Sequence, residues 1–181
     1  MKYHKTITLK DGRTCVLRSG TAEDAQAALD CFILAHAQTD ELVSYPDEIR
    51  FTAEQEAAFL CARAESADEC ELLAVVDGCV AGLAGFQIVG REDKLKHRAS
   101  FGISLDRAFW GLGIGRAMTR ACIECARAAG YAQLELDVMA DNERALALYR
   151  SEGFTEYGRN PRGFRSRYTG WQESVLMRLE L

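Results

Sequence analysis

Residues 110–115 read Trp-Gly-Leu-Gly-Ile-Gly, directly after the strand-like run Ser100–Leu105 and directly before the helix-like run Arg116–Ala129. Glycines that alternate at a strand-to-helix junction leave backbone N–H groups uncovered at the positive end of a helix, an arrangement that holds phosphate. The junction calls for strands and helices that follow one another, and it predicts a phosphorylated cofactor.

The rest of the chain supplies that alternation. Thr6–Leu9 and Thr14–Arg18 flank Asp11-Gly12, a two-residue hairpin signal, and Leu72–Val76 and Val80–Val89 flank another at Asp77-Gly78. Helices are predicted from Thr21 to about Gln38 and from Thr52 to about Glu65, each opened by a threonine N-cap, the second with a capping box closed by Gln55. The polar connection Thr39–Arg50, which contains Pro46, is a candidate mobile, substrate-facing segment. Beyond the glycines, Gly130 stops a helix, Leu134–Val138 alternates as a strand, and Asn142–Glu152 forms a short helix stopped by Gly153. Phe154–Tyr157 and Ser174–Glu180 read as the last strands, with the basic stretch Arg159–Arg167 as the loop between them.

Composition narrows the function. The 181 residues, 48% apolar and free of linkers or repeats, provide for one well-buried core, so residues 1–181 are expected to be a single domain. A net charge of −5 with dispersed cations argues against a nucleic-acid partner. No apolar run approaches the roughly 20 residues of a membrane helix, and Met1–Leu9 lacks signal-peptide character, so no membrane partner and a cytoplasmic location are expected. Seven cysteines, an odd count, point to reduced thiols. Cys122 and Cys125 form a CxxC inside a predicted helix with no second pair at zinc spacing, so they read as packing residues and no metal is assigned.

Spacing separates the phosphate-binding motifs. A dinucleotide fingerprint needs GxGxxG, but its third glycine would fall at Arg116 or Met118, and a P-loop needs Gly-Lys-Ser/Thr where this chain has Gly115-Arg116-Ala117. The stretch Leu105–Ala117 instead resembles the acyl-CoA signature Q/R-x-x-G-x-G/A of the GNAT superfamily of N-acetyltransferases, with Gly113 and Gly115 on the motif glycines and Trp110 at the usual Gln/Arg position. A second block agrees: Leu136-Asp137-Val138, then Asn142 to Tyr149, then Gly153-Phe154, resembles the family's second cofactor-contacting strand, its asparagine and its tyrosine-bearing helix. The C-terminal residues Gly163-Phe164-Arg165 and Gly170-Trp171 resemble the amino-acid and phosphinothricin N-acetyltransferase branch.

The resemblance implies an α/β GNAT-like fold: a mixed central sheet of about seven strands with about four helices, splayed between the fourth and fifth core strands, here Ser100–Leu105 and Leu134–Val138. It implies acetyl-CoA as co-substrate. Amides of Leu112, Gly113, Ile114, Gly115, Arg116 and Ala117 would hold the pyrophosphate, Ser104, Leu105 and Asp106 would pair with the pantetheine arm, and Asn142 would contact the cofactor. The Leu105 amide would also polarise the thioester carbonyl. Tyr149 would serve as general acid for the departing thiolate, a transfer uphill by roughly 2 kcal/mol between unperturbed phenol and thiol.

The branch carries a base carboxylate at a position that here is Gly102, leaving Glu135, Asp137 and His97 as candidates. With no dedicated base, an α-amine of a small metabolite such as an amino acid is the expected acceptor, because it is already partly neutral near pH 7.4. Direct attack is expected rather than a cysteinyl intermediate, for which Cys79 is the remaining candidate. The alternatives are a protein N-terminal acetyltransferase of ribosomal-protein type and a non-catalytic acyl-CoA sensor; a homodimer is a candidate assembly.

Overall fold

A computed structural model describes residues 1–181. The two predicted hairpin turns form: Asp77 (φ 50°) and Gly78 (φ 79°) both take the positive φ that a type I′ turn needs, and Gly12 (φ 89°) closes the other. They join β1 (His4–Thr8) to β2 (Thr14–Ser19) and β3 (Cys70–Val76) to β4 (Cys79–Ile88). Between the hairpins lie α1 (Ala25–Ala37), entered through a 3-10 turn at Ala22–Asp24, and α2 (Ala53–Glu65). Thr52 caps α2 by accepting from the Gln55 N–H, and Gln55 returns the bond to the Thr52 N–H. Such a cap contributes about 1 kcal/mol.

The second half runs β5 (Arg98–Leu105), α3 (Ile114–Ala128), β6 (Gln133–Met139), α4 (Glu143–Ser151), β7 (Thr155–Ser166) and β8 (Gly170–Glu180). All eight strands form one sheet in the order β1-β2-β3-β4-β5-β6-β8-β7, one strand more than about seven, with four α-helices as expected. The stretch Arg159–Arg167 is not a loop: β7 continues through it to Ser166. An edge strand tolerates this composition, since Pro161 needs no ladder partner and the arginines stay in water, where Arg162 and Arg165 lie over the Trp171 ring.

The sheet separates two apolar layers. Leu72, Ala84, Phe86 and Phe101 face α3, and Leu73 and Leu83 face α1 and α2, packing with Ala28, Cys31 and Leu60. Cys122 and Cys125 are buried in the first layer with Cys70. The segment Thr39–Arg50 is fastened rather than free. Tyr45 donates to Asp40, Ser166 donates to the other Asp40 oxygen at 2.5 Å, and Arg167 pairs with Asp47 and Glu48, so the segment straps α1 to the β7–β8 turn. No helix is long and apolar enough to cross a membrane.

Candidate active site

β5 and β6 are the sheet's parallel pair, and their register ends at Ser100–Glu135. Phe101–Leu105 and Leu136–Met139 then diverge, each held by its other neighbour, β4 or β8. The predicted splay is therefore present, and a cleft of about 940 Å³ opens through it.

Register decides which backbone groups face the opening. The Asp106 N–H donates to the Ala81 carbonyl, so the even-numbered residues of β5 form its hydrogen-bonded pairs with β4. Ile103 and Leu105 thus turn their N–H groups into the splay, while Ser104 and Asp106 spend theirs on β4. Of the residues expected to pair with pantetheine, only Leu105 presents its amide; Ile103 joins it, and Ser104 contributes its side chain instead. The Ser104 hydroxyl is buried in the cleft lining without a hydrogen-bond partner. The Asp106 carboxylate accepts from Gln38 and from the Ala108 N–H.

The glycine loop reads as predicted, with one correction. Gly111 (φ 79°) and Gly113 (φ 99°) take conformations that an L-residue resists, and a Cβ on either would meet no protein atom within 4 Å. Gly113 caps α3, and the N–H groups of Leu112 to Arg116 have no backbone partner. The Ala117 N–H already donates to the Gly113 carbonyl, so it belongs to the helix and not to the phosphate cradle. Gly115 serves packing as well: its Cβ position is 3.3 Å from Leu105 Cδ1.

Three cations flank the loop, Arg116, Lys10 and Arg144. Arg116 is partly neutralised by an ion pair with Glu152 at 3.1 Å, and Arg120 shares that carboxylate. Lys10 and Arg144 line the same rim, and neither was singled out in the sequence because one lies in the first hairpin and the other inside the Asn142 helix. Arg144 stacks 3.4 Å from the Trp110 ring centre, with Arg107 at 5.1 Å, and the Trp110 indole donates to the Leu105 carbonyl at 3.0 Å. Trp110 therefore fixes the end of β5 and orients a cation at the loop.

Asn142 caps α4, its Oδ1 accepting from the Ala145 N–H at 2.9 Å, which leaves the Nδ2 donor for a ligand in the cleft it lines. Tyr149 lines the cleft from α4, edge-on to Phe101 at 6.2 Å, and burial pushes its phenol well above the ordinary value. A weaker acid makes the poorer proton donor, and a thiolate leaving into the same cleft would also hold a proton more strongly through desolvation, which acts against that loss.

Two base candidates fall outside the cleft lining. Glu135 is buried against Arg98, which donates to both carboxylate oxygens, and Gln133 also donates to it at 3.0 Å. This ion pair runs from the first parallel rung, Arg98–Gln133, to the last, Ser100–Glu135, and commits both carboxylate oxygens; the expectation of Glu135 as base is corrected. His97 lies in the connection ahead of β5, where its carbonyl accepts from Ala132 and Gln133. Asp137 does line the cleft, on the exposed side of β6, with its carboxyl raised by burial and by Glu135. Two acidic residues absent from the sequence reading, Glu41 and Glu71, line it from the α1/α2 side. No cysteine is among the lining residues; Cys79 begins β4 at the β3–β4 turn, outside that lining.

A sheet parted beside a glycine-capped helix, with backbone amides turned into the gap, is the architecture of the acetyltransferase (GNAT) family, whose model matches residues 33–154; the chain belongs to that family. It is similar to the N-alpha-acetyltransferase RimI of Mycobacterium tuberculosis, 38% identical over 88 residues that make up 49% of this chain and 53% of the relative. The chain thus spans about half the length of that curated relative. It is also similar to the [Ribosomal protein bS18]-alanine N-acetyltransferase of Escherichia coli, 32% identical over 58% of this chain and 67% of that one. Among solved structures, a GNAT-family acetyltransferase from Streptococcus pneumoniae superposes with a TM-score of 0.87 at 26% identity, covering 92% of this chain and 99% of that chain. The fold is shared by yncA from Salmonella typhimurium, solved with its cofactor acetyl-CoA, with a TM-score of 0.80 at 21% identity over 92% of this chain and 94% of that chain.

Proposed function

We propose that the chain is an acetyl-CoA-dependent N-acetyltransferase that transfers the acetyl group by direct attack to the primary amine of a small molecule. The observation that supports this most is the charge polarity of the cleft: Lys10, Arg116, Arg144 and the free amides of the glycine loop line it on the loop side, and Glu41, Glu71 and Asp137 line it on the α1/α2 side, where the one arginine, Arg63, is paired with Glu69. A phosphorylated acyl carrier suits the first side and a cationic amine the second.

In this reading the amine nitrogen attacks the acetyl carbonyl carbon, forming the C–N bond. The Leu105 N–H holds the oxyanion, the C–S bond breaks as the oxyanion collapses, and Tyr149 supplies the proton to sulfur. The strap Thr39–Arg50 narrows the amine end, since Thr39, Glu41, Leu42 and Val43 contribute to its lining, and this favours a small acceptor.

The RimI-type relatives carry a second reading, a protein N-terminus as acceptor. Thiol release from acetyl-CoA distinguishes the two across free amino acids, amino-acid amides, an alkylamine, spermidine and a peptide with an N-terminal alanine. Turnover of small amines is expected; a preference for the peptide by tenfold or more would favour the second reading, and acetyl-CoA binding without thiol release would reduce the protein to a sensor.

A further inference from the structure

The vacancy at Gly102 raises the question of where the amine's proton goes. The strand register supplies a direct answer. Glu71 on β3 pairs with Gly85 on β4, and Gly85 pairs with Gly102 on β5, so the three residues form one row across the sheet on its α1/α2 face. Two of the three have no side chain. The Glu71 carboxylate fills the space that a side chain on Gly85 would take, and nothing lies within 4 Å of the Cβ position on Gly102. The carboxylate therefore lies over β4 at about one strand spacing, roughly 4.8 Å, from the empty position beside the splay, a gap that one water molecule bridges.

Glu69 is taken by Arg63, Glu135 by Arg98 and Glu152 by Arg116 and Arg120, whereas the Glu71 carboxylate, like those of Glu41 and Asp137 elsewhere in the cleft lining, makes neither an ion pair nor a hydrogen bond; of these three, Glu71 is the one in the row with Gly85 and Gly102. Ser104, two residues beyond Gly102 on the same face, keeps a buried hydroxyl with no partner. An unpaired acceptor and an unpaired donor flank an empty, cleft-lining position, and each lacks what a bound polar group would supply.

We propose that Glu71 is the general base of the transfer: through one water molecule held above Gly102, its carboxylate receives the proton that the attacking amine sheds. The proposal rests on the acyl-transfer reading above. The N–H bond breaks as the C–N bond is made, the proton passes through the water to Glu71, and the sulfur takes its own proton from Tyr149. Glu71 then loses its proton to solvent and Tyr149 regains one, so that amide, thiol and one proton leave for each ammonium acceptor.

The surroundings tune this group. Burial and the nearby Glu56 of α2 push the Glu71 carboxyl up to about 8, against the opposing pull of Arg63. Facing the same space are His36 of α1, held below its ordinary value by burial, Glu41 of the strap and Asp137 of β6; β4 and β5 contribute no titratable group to the row. A base acts when ionised, so kcat/KM, expressed per unprotonated amine to remove the acceptor's own titration, is expected to climb from acid to alkaline pH and level off above about 8.

The test compares Glu71→Gln with the wild type, using the panel amine turned over fastest, with Asp137→Asn as the competing base. Glu71→Gln is expected to lower kcat/KM, expressed per unprotonated amine, about 100-fold at pH 8.5, to abolish the limb near 8 and to leave acetyl-CoA affinity unchanged; Asp137→Asn keeps the limb. The deficit should shrink as the acceptor amine becomes less basic, which loss of structure would not produce. Activity within twofold of wild type, or loss of the limb in Asp137→Asn instead, overturns the proposal. If acetyl-CoA binds and no amine is turned over, the acyl-transfer reading has failed and Glu71 is left without a reaction. Independently of any acceptor, a glutamate carboxyl ¹³C resonance missing from Glu71→Gln should titrate near 8; titration with the ordinary carboxylates near 4.3 also overturns it.

Discussion

Replacing Gly113 with alanine separates the phosphate cradle from a mere turn. Gly113 holds φ at 99°, and an L-residue in left-handed backbone costs about 1–2 kcal/mol. The new methyl meets no protein atom within 4 Å, so no packing penalty is added. In a domain of this size, 1 kcal/mol shifts Tm by about 2–4 °C, so a fall of about 2–8 °C is expected by differential scanning calorimetry without ligand. If the free amides from Leu112 to Arg116 grip a pyrophosphate, displacing one charge-assisted hydrogen bond costs about 1.5–3 kcal/mol, or roughly 10- to 100-fold in Kd for acetyl-CoA by isothermal titration calorimetry. Gly115→Ala is the control. Its backbone is helical, and its Cβ contacts the movable ends of Leu105 and Leu148 at 3.3 and 3.5 Å, so stability should change by less than about 1 kcal/mol as helix propensity offsets the contact. A Gly113→Ala protein that loses stability but binds acetyl-CoA like wild type would refute the cradle.

Two further substitutions address named side chains. Tyr149→Phe keeps the ring against Phe101 and Phe154 and removes the proton donor, so kcat should fall about 100-fold with little change in acetyl-CoA affinity; an unaltered kcat in steady-state thiol release would remove Tyr149 from the mechanism. Glu135→Gln breaks a buried pair with Arg98 and should cost about 1–3 kcal/mol in chemical denaturation while leaving kcat unchanged; a collapse of kcat with stability intact would restore Glu135 as the base.

The cofactor side of this protein was legible in the sequence because its signals are local. The glycine run, the Asn142 cap and Tyr149 each lie within a turn or two of the strand end or helix start that places them, so a resemblance over short stretches of sequence could point to them. The amine side was not legible, because it is assembled by register across strands. Glu71 directly precedes the apolar run Leu72–Val76 and differs little, in sequence, from Glu69 two residues before it; only the row Glu71–Gly85–Gly102 distinguishes the carboxylate aimed over two glycines from the one bound to Arg63. The same holds for Glu135, whose ion pair depends on the short parallel register that precedes the splay. The strap over residues 39–50 looked mobile from its polarity, yet that polarity is spent on Asp40, Tyr45, Asp47 and Glu48 contacts to the β7–β8 turn. The arginines of 159–167 suggested a loop because a sequence does not show which strand will lie at an edge.

The central claim is that the gap between β5 and β6 is where the acyl carrier lies. Residue-resolved amide hydrogen exchange, with and without saturating acetyl-CoA, tests it most directly. The Ile103 and Leu105 amides, which face the gap, and those of Leu112 to Arg116 should gain protection, while the Ser104 amide, already directed to β4, should change little. Unchanged exchange at Ile103 and Leu105 under saturation would contradict the account.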